Sequence, residues 1–206
     1  MFAPYETFNI LSFSLQSQLL LAVVAIVTSY AFFTFYVKRV FVVTDAEAVT
    51  DHALWALLIG AATFKFWPFF TNVELWPDWR NFIYYVGGGQ ALIVALIVGA
   101  IYFCLIVWRK KWSVAVMDGV GIAVLFGMFT FSIFVKTYGG PTPLSFGWEL
   151  DGRLHHPVNL YRSWLLLLAV GVSILWIDKD RYGQRALLAV VAIVLIEILM
   201  RPFVIA

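Results

Sequence analysis

A polar segment within an otherwise apolar chain carries the side chains best suited to chemistry. Residues 152–161 read GRLHHPVNLY and include His155, His156 and Tyr161. Histidine changes charge near neutral pH and is the commonest general base. Adjacent histidines in an extended segment point to opposite sides, so at most one of the two faces a given site. In the alternative interpretation, these are loop histidines that hydrogen-bond backbone carbonyl groups.

Three arginines lie close to the ends of apolar runs. Arg153 and Arg162 flank the histidine pair, and Arg201 follows the last apolar run. A guanidinium group matches the geometry of a phosphate, which makes a phospholipid headgroup a natural ligand. The alternative is that these arginines only anchor the chain at a membrane interface.

Three consecutive glycines, Gly87, Gly88 and Gly89, stand before a long apolar run. Each costs a helix about 1 kcal/mol relative to alanine. The run therefore predicts a helix break, a re-entrant entry or a close approach of the backbone to a ligand. Its backbone N–H groups could bind an anion, or the glycines could only permit close helix contact.

Ionisable residues inside apolar runs are further candidates, because such groups are costly in a membrane and often functional. They are Lys65, Glu197 and Asp118. One interpretation pairs Lys65 with Glu197. The other lets Lys65 extend to the interface and gives Glu197 a structural partner. For Asp118, next to a basic cluster, we expect a structural charge pair at the inner interface.

Composition limits the class of protein. The 206 residues are 63% hydrophobic and only 13% charged, whereas a soluble domain has about 25% charged residues. The bilayer must therefore be the solvent. A net charge of +2 gives no reason to expect nucleic acid as a partner. The single cysteine, Cys104, excludes an intrachain disulfide and a cysteine metal cluster, and we expect it to pack as a small apolar residue. The histidine spacing fits no zinc site, so no metal is predicted.

The apolar runs predict an all-α, polytopic transmembrane helix bundle with about six spans, preceded by an interfacial arm over residues 1–14. We treat residues 1–206 as a single integral membrane domain. The longest loop is expected over residues 136–157. The predicted spans are residues 19–37, 53–70, 82–108, 113–135, 159–177 and 186–200.

The distribution of basic residues predicts the orientation, since cytoplasmic loops are enriched in Lys and Arg. Eight of the fourteen basic residues fall in the loops after the first, third and fifth spans: Lys38, Arg39, Arg109, Lys110, Lys111, Lys179, Arg181 and Arg185. Both termini and the histidine segment are therefore expected outside. The N-terminus lacks a basic region, so no cleavable signal peptide is expected.

The motifs and their order resemble the bacterial prolipoprotein diacylglyceryl transferases. The segment HPVNLY at residues 156–161 is similar to that family's His-Pro-x-Gln-Leu-Tyr-Glu motif. The glycine run, the Met117-Asp118-Gly119 triplet, the Phe126-Gly127 pair and the final Glu197…Arg201-Pro202 pattern occur in the family's order. The resemblance covers residues 8–203.

The resemblance implies a bacterial cytoplasmic membrane protein whose site opens toward the outer face. The family transfers a diacylglyceryl group from phosphatidylglycerol to a lipobox cysteine. Here the family's third-span histidine is missing from Gly89-Gln90-Ala91, and its essential arginine is missing from residues 131–135. The motif's Gln and Glu are Asn159 and Arg162, and the usual seventh span is absent.

These departures lead to our prediction of function. In a low-dielectric site, one lost donor costs about 10²–10³ in rate. We therefore expect an impaired, transferase-like protein that binds phospholipid of the phosphatidylglycerol type, needs no cofactor, and serves as an accessory subunit among other membrane proteins. The alternative is a divergent diacylglyceryl transferase, with His155 or His156 as base and Arg153, Arg162 and Arg201 on the phosphate.

Overall fold

The computed structural model describes residues 1–2, 7–10, 13–40, 43–85, 87–177 and 182–204. Most of these residues are helical. The described α-helices are α1 Ser17–Val40, α2 Val43–Thr71, α3 Asn81–Tyr84, α4 Gly89–Lys110, α5 Ala115–Phe134, α6 Val158–Leu175 and α7 Gln184–Met200. Two short 3₁₀ turns, Val73–Leu75 and Arg201–Phe203, follow α2 and α7.

Six of these helices, all except α3, are long and apolar enough to cross a membrane, counted over the described ranges. Even 18 residues at 1.5 Å each reach about 27 Å, close to the ~30 Å hydrocarbon core. A helix satisfies its own backbone hydrogen bonds, which is why an apolar run in lipid takes this form. The prediction of an all-α bundle with about six spans is confirmed, and the protein is membrane-embedded.

The chain divides into two compact units, which we describe separately. Unit 1 comprises Met1–Tyr36 and Val114–Ala206, and unit 2 comprises Val37–Ser113. The boundary falls inside α1. Whether the two units act as the single predicted domain stays a prediction.

Unit 1 is built on α5, which packs against both α6 and α7. Helix α1 joins this group where Phe32 stacks on Phe126, with ring centroids 4.7 Å apart, and where Ser29 donates to the Ala123 carbonyl group at 2.7 Å. The buried core consists of Ile122, Leu125, Val158, Leu166, Ala169, Val170, Ala189, Ile196 and Met200.

Unit 2 is dominated by the pairing of α2 with α4. Small residues let the two backbones come close: a Cβ on Gly60 would lie 3.2 Å from the Ala95 carbonyl oxygen, and one on Gly99 would lie 3.0 Å from that of Ala56. Such small-residue contacts are typical of helices that associate in lipid. The outward-facing side chains of both helices are mostly apolar, among them Cys104, which is exposed. The expectation that Cys104 packs as a small apolar residue stays a prediction.

The glycine run breaks the third predicted span. Instead of one helix from residue 82, the short α3 ends at Tyr84 and α4 begins at Gly89. A Cβ on Gly87 would overlap the Phe64 carbonyl oxygen and the Ala91 side chain, so the backbone passes too close to α2 for any larger residue. The predicted break and the close helix contact are both present.

The second span starts earlier than predicted. Helix α2 begins at Val43, so it includes four polar residues that precede the predicted span of residues 53–70: Asp45, Glu47, Asp51 and His52. Acidic residues in the first turns favour helix formation because they face the positive end of the helix dipole. Polar residues therefore extend this helix beyond its apolar run.

The predicted loop over residues 136–157 instead contains an antiparallel sheet. Strands β3 Tyr138–Pro141 and β4 Trp148–Leu150 both pair with the central β5 Arg153–Pro157. Asp151 and Gly152, both with positive φ, form the tight turn between β4 and β5. An isolated bridge from Gly139 to Val204 joins the sheet to the end of the chain after α7.

The N-terminal residues, predicted as an interfacial arm, include two short strands. Strands β1 Thr7–Ile10 and β2 Phe13–Gln16 make an antiparallel hairpin. Phe2 forms a parallel bridge with Val135 at the end of α5. The remaining residues up to 14 lie outside the described ranges, as do Lys179 and Arg181. The interfacial position of the arm and the outward orientation of both termini stay predictions.

Candidate functional site

The central strand β5 delivers both histidines to one end of unit 1. This is where α5 ends, α6 begins at Val158, and α7 ends; we call it the sheet end. Proline ends the strand and serves as the residue before the first turn of α6, a position where its missing N–H costs nothing. Strand and helix thus meet at His156-Pro157.

The two histidines face different surroundings, as their adjacency in a strand predicts. His155 is buried, and its Nδ1 lies 2.7 Å from the Gly139 carbonyl oxygen of the neighbouring strand. A histidine that hydrogen-bonds a backbone carbonyl group is the structural alternative to the catalytic interpretation. His155 is therefore committed to holding the sheet together.

His156 is half-buried and takes part in an aromatic group. Its Nδ1 lies 3.3 Å from the Tyr161 hydroxyl group. Its ring centroid is 5.2 Å from that of Phe203 in an edge-to-face arrangement, and the Tyr161 and Phe203 centroids are 5.7 Å apart. Edge-to-face contacts of this kind are favourable. They fix the imidazole between β5, α6 and the turn after α7.

Next to this group, Arg162 of α6 forms an ion pair with Glu197 of α7. The Nη2–Oε2 distance is 3.0 Å, and the side chains are 23% and 49% exposed. The Nε of Arg162 is buried and has no hydrogen-bond partner in the part of the chain that the structure describes. A buried donor without an acceptor costs about 1–3 kcal/mol.

Arg201 is assigned to the site by its spacing from Glu197. It follows Glu197 by four residues, in the 3₁₀ turn that continues α7, and residues four apart on a helix are neighbours. Its side chain is exposed. We call the resulting set the arginine–aromatic cluster; its members are His156, Tyr161, Arg162, Glu197, Arg201 and Phe203.

Arg153 does not join this cluster. It lies at the far end of β5, opposite Leu150 and beside the turn to β4. It precedes His156 by three positions along the strand, or about 10 Å. The grouping of Arg153 with Arg162 and Arg201 on one phosphate has no support in the structure.

Asn159, noted in the sequence only as a departure from a motif, is the best-connected polar side chain at the sheet end. It is 1% exposed. Its Oδ1 accepts from Trp148 Nε1 at 2.8 Å and from the Thr137 amide at 3.3 Å, and its Nδ2 donates to the Ser132 carbonyl group at 3.3 Å. In the sequence, the one sign of this role is a carboxamide side chain in the first turn of an otherwise apolar helix.

Lys136 also has a local role. Its Nζ lies 5.0 Å from the centre of the Trp148 ring, a cation–π contact. Lys136 and Asn159 thus hold Trp148 from two sides. They stabilise the junction of sheet and helix rather than extend the arginine–aromatic cluster.

Asp118 lies at the opposite end of unit 1 and caps another helix. It is 2% exposed. Its two oxygens accept from the amides of Gly183 and Ala186 at 2.8 and 2.9 Å, at the start of α7. The role is structural, but the predicted charge pair is wrong, because the partners of Asp118 are backbone amides.

Arg185, which we count among the interfacial basic residues, is buried beside this cap. It donates to the Tyr36 hydroxyl group at 2.7 Å and to the Ile177 carbonyl group at 2.8 Å. Ile177 lies two residues after the end of α6, so Arg185 ties the segment after α6 to the start of α7, which Asp118 caps. Sequence reasoning missed this pair because burial depends on contacts far along the chain.

The remaining candidates belong to unit 2. Lys65 donates to the Tyr85 carbonyl group at 2.8 Å, and Glu197 of unit 1 pairs with Arg162; the pairing of Lys65 with Glu197 stays a prediction. Gly88 precedes the first turn of α4, which begins at Gly89, and a Cβ on either would meet open space. Within the described residues, no group of His, Cys, Asp or Glu is arranged to hold a metal ion.

Comparisons of the sequence with protein-family models and with curated proteins find no match. The resemblance to the diacylglyceryl transferases therefore depends on the motifs alone, and it stays a hypothesis.

Proposed function

We propose that this membrane protein binds a phospholipid through its headgroup at the arginine–aromatic cluster, without turning it over. The observation that carries the proposal is the buried Nε of Arg162, which lacks an acceptor among the described residues. A phosphate oxygen would satisfy this donor. Arginine is suited to that task because its planar fork binds two oxygens at once.

The setting of Arg162 supports a lipid rather than a soluble ligand. The residue lies in the first turns of α6, a helix apolar enough to cross a membrane, and Arg201 adds a second positive charge at the same end. The neighbouring Tyr161 and Phe203 offer ring surface of the kind found where lipid headgroups meet acyl chains. A phospholipid matches both the charges and the apolar surroundings.

The proposed absence of catalysis has two supports. First, the Nδ1 of His155 is hydrogen-bonded to the Gly139 carbonyl group. Second, the resemblance leaves no counterpart for the family's catalytic arginine and third-span histidine. A developing negative charge in a dry site needs every such donor. We therefore propose a transferase-like accessory subunit of a larger complex in the bacterial cytoplasmic membrane.

Substitution of Arg162 tests the binding. The chain, purified in mild detergent, is examined by native mass spectrometry for retained phospholipid. We expect Arg162→Gln to lower the retained fraction about tenfold, since a hydrogen bond to a charged group is worth about 1.5–3 kcal/mol. Arg153→Gln, an exposed arginine outside the cluster, is the matched control. Equal retention by wild type and Arg162→Gln would overturn the proposal.

One observation favours the divergent transferase as a second candidate. Tyr161 holds His156 at Nδ1, and Nε2 has no partner in the described structure, an arrangement suited to a general base. Incubation of the protein with phosphatidylglycerol and a lipobox peptide decides the matter. Turnover that His156→Ala abolishes establishes the enzyme; its absence in protein that retains lipid supports the accessory subunit.

A further inference from the structure

Glu197 is the unexpected member of the arginine–aromatic cluster. A site for a phosphate alone would contain cations and neutral donors, yet here a carboxylate pairs with Arg162 and precedes Arg201 by one helical turn. Its Oε2 accepts from Arg162, and the structure gives Oε1 no partner among the described residues. About half of the side chain is exposed.

This exposure is costly in a helix that crosses a membrane. Glu197 lies within the apolar run of α7, six residues before the end of the candidate span Gln184–Phe203. Charged groups at such positions usually meet another charge or a polar cavity. The ion pair with Arg162 uses one of the two carboxylate oxygens, and the other is free to accept from a ligand cation.

The charges of the cluster are better matched by a headgroup with both signs. Arg162 and Arg201 together carry two positive charges, and Glu197 carries one negative charge. A phosphate bound by the arginines would lie next to the Glu197 carboxylate and be repelled by it. A headgroup cation placed between them removes that repulsion.

We infer that the cluster selects a phospholipid whose headgroup bears a primary ammonium group, of the phosphoethanolamine type. This inference depends on the proposed function and names its ligand. The arginines bind the phosphate, and the ammonium group donates to Glu197. The ethanolamine linker separates the two charges by two carbons, while Glu197 and Arg201 are neighbours one helical turn apart.

The inference distinguishes among the common headgroups. A quaternary ammonium group has no N–H and cannot donate to Oε1. A glycerol headgroup, which the family resemblance implies, brings no positive charge for Glu197. The Glu197 carboxylate therefore favours a headgroup with a primary ammonium group over a quaternary ammonium headgroup and over a glycerol headgroup.

The experiment uses the full chain in nanodiscs that contain equal amounts of phosphatidylethanolamine, phosphatidylglycerol and phosphatidylcholine with identical acyl chains. Lipids retained after transfer to detergent are identified by native mass spectrometry. We expect phosphatidylethanolamine to be enriched in the wild type. Glu197→Gln should lower its ratio to phosphatidylglycerol about fivefold, the effect of one partly exposed ion pair.

Two further variants keep the result interpretable. Glu149→Gln removes an exposed carboxylate from β4 and should leave the ratio unchanged. Glu197→Asp keeps the charge and should keep the preference for the amine, which covers the case in which Glu197→Gln does not fold. An equal or higher retention of phosphatidylglycerol by the wild type, or an unchanged ratio in Glu197→Gln, would overturn the inference.

Failure of the proposed function has a different signature. In that case, the total retained lipid is the same in wild type and in Arg162→Gln, whatever its headgroup. The headgroup inference fails alone when Arg162→Gln loses lipid but Glu197→Gln does not alter which lipid is kept.

Discussion

At the scale of single residues, Asp118 shows how one side chain can serve two helices. It belongs to the first turn of α5, but its carboxylate binds two amides at the start of α7. Helix α7 has a glycine before its first turn and no side-chain cap of its own. The four amides at a helix start need acceptors, and here the acceptor comes from a residue 65 positions away.

Removal of this carboxylate should destabilise unit 1. We expect Asp118→Ala to lower the free energy of unfolding by about 2–4 kcal/mol, because two buried amides lose their acceptors. Thermal unfolding in detergent measures the effect. Asp45→Ala, which removes an exposed acid from the first turn of α2, is the control. Equal midpoints for the two variants would show that the cap contributes little.

The residue scale is also where the sequence was least informative. Glu197 and Arg162 are both visible in the sequence as charges near apolar runs, but their pairing joins positions 35 residues apart. The same holds for Arg185, whose position in a basic turn gave no sign that Tyr36 would bind it. Side-chain partners that are distant in the sequence are determined by how the helices pack, and a local sequence pattern does not indicate helix packing.

At the scale of elements, the α2–α4 pair depends on small residues at its crossing. At Gly60 and Gly99 the backbones of the two helices approach each other closely. A Cβ atom on Gly99 would lie 3.0 Å from the Ala56 carbonyl oxygen. Between helices in lipid, close packing replaces the hydrophobic effect as the source of stability. The contact is therefore sensitive to added volume.

We expect Gly99→Leu to lower the stability of unit 2 by about 1–3 kcal/mol, the usual cost of overpacking. Gly171→Leu is the matched control, since Gly171 also lies in a long helix but a Cβ there meets open space. The measurement is the thermal unfolding midpoint of each variant in detergent. A similar shift for both would mean that helix propensity, and not the α2–α4 contact, sets the effect.

Helices and strands differed in how well they could be predicted. The long helices follow from apolar runs, since a helix is the form in which such a run satisfies its backbone groups in lipid. Strands β3, β4 and β5 have three to five residues each, too few for a clear alternation. Their pairing also depends on Asn159, which binds Trp148 at the start of β4.

At the scale of the whole molecule, the two ends of unit 1 differ in how they use charge. In unit 1, the arginine–aromatic cluster lies at one end of the α5–α6–α7 group, and Asp118 and Arg185 lie at the other. Both carboxylate oxygens of Asp118 accept from backbone amides, whereas Arg185, like Arg162, has a buried Nε without a partner among the described residues. What distinguishes the cluster is that its buried donor stands beside a carboxylate that is about half exposed, so that a ligand can reach charges of both signs.

A density map tests the central claim most directly. The full chain is placed in nanodiscs that contain phosphatidylethanolamine and phosphatidylglycerol, and an antibody fragment is bound to add mass for electron cryo-microscopy. Our account predicts headgroup density at the sheet end of unit 1, with a phosphate oxygen within hydrogen-bond distance of Arg162 Nε. A well-resolved cluster in which Arg162 Nε contacts only protein or water would contradict it.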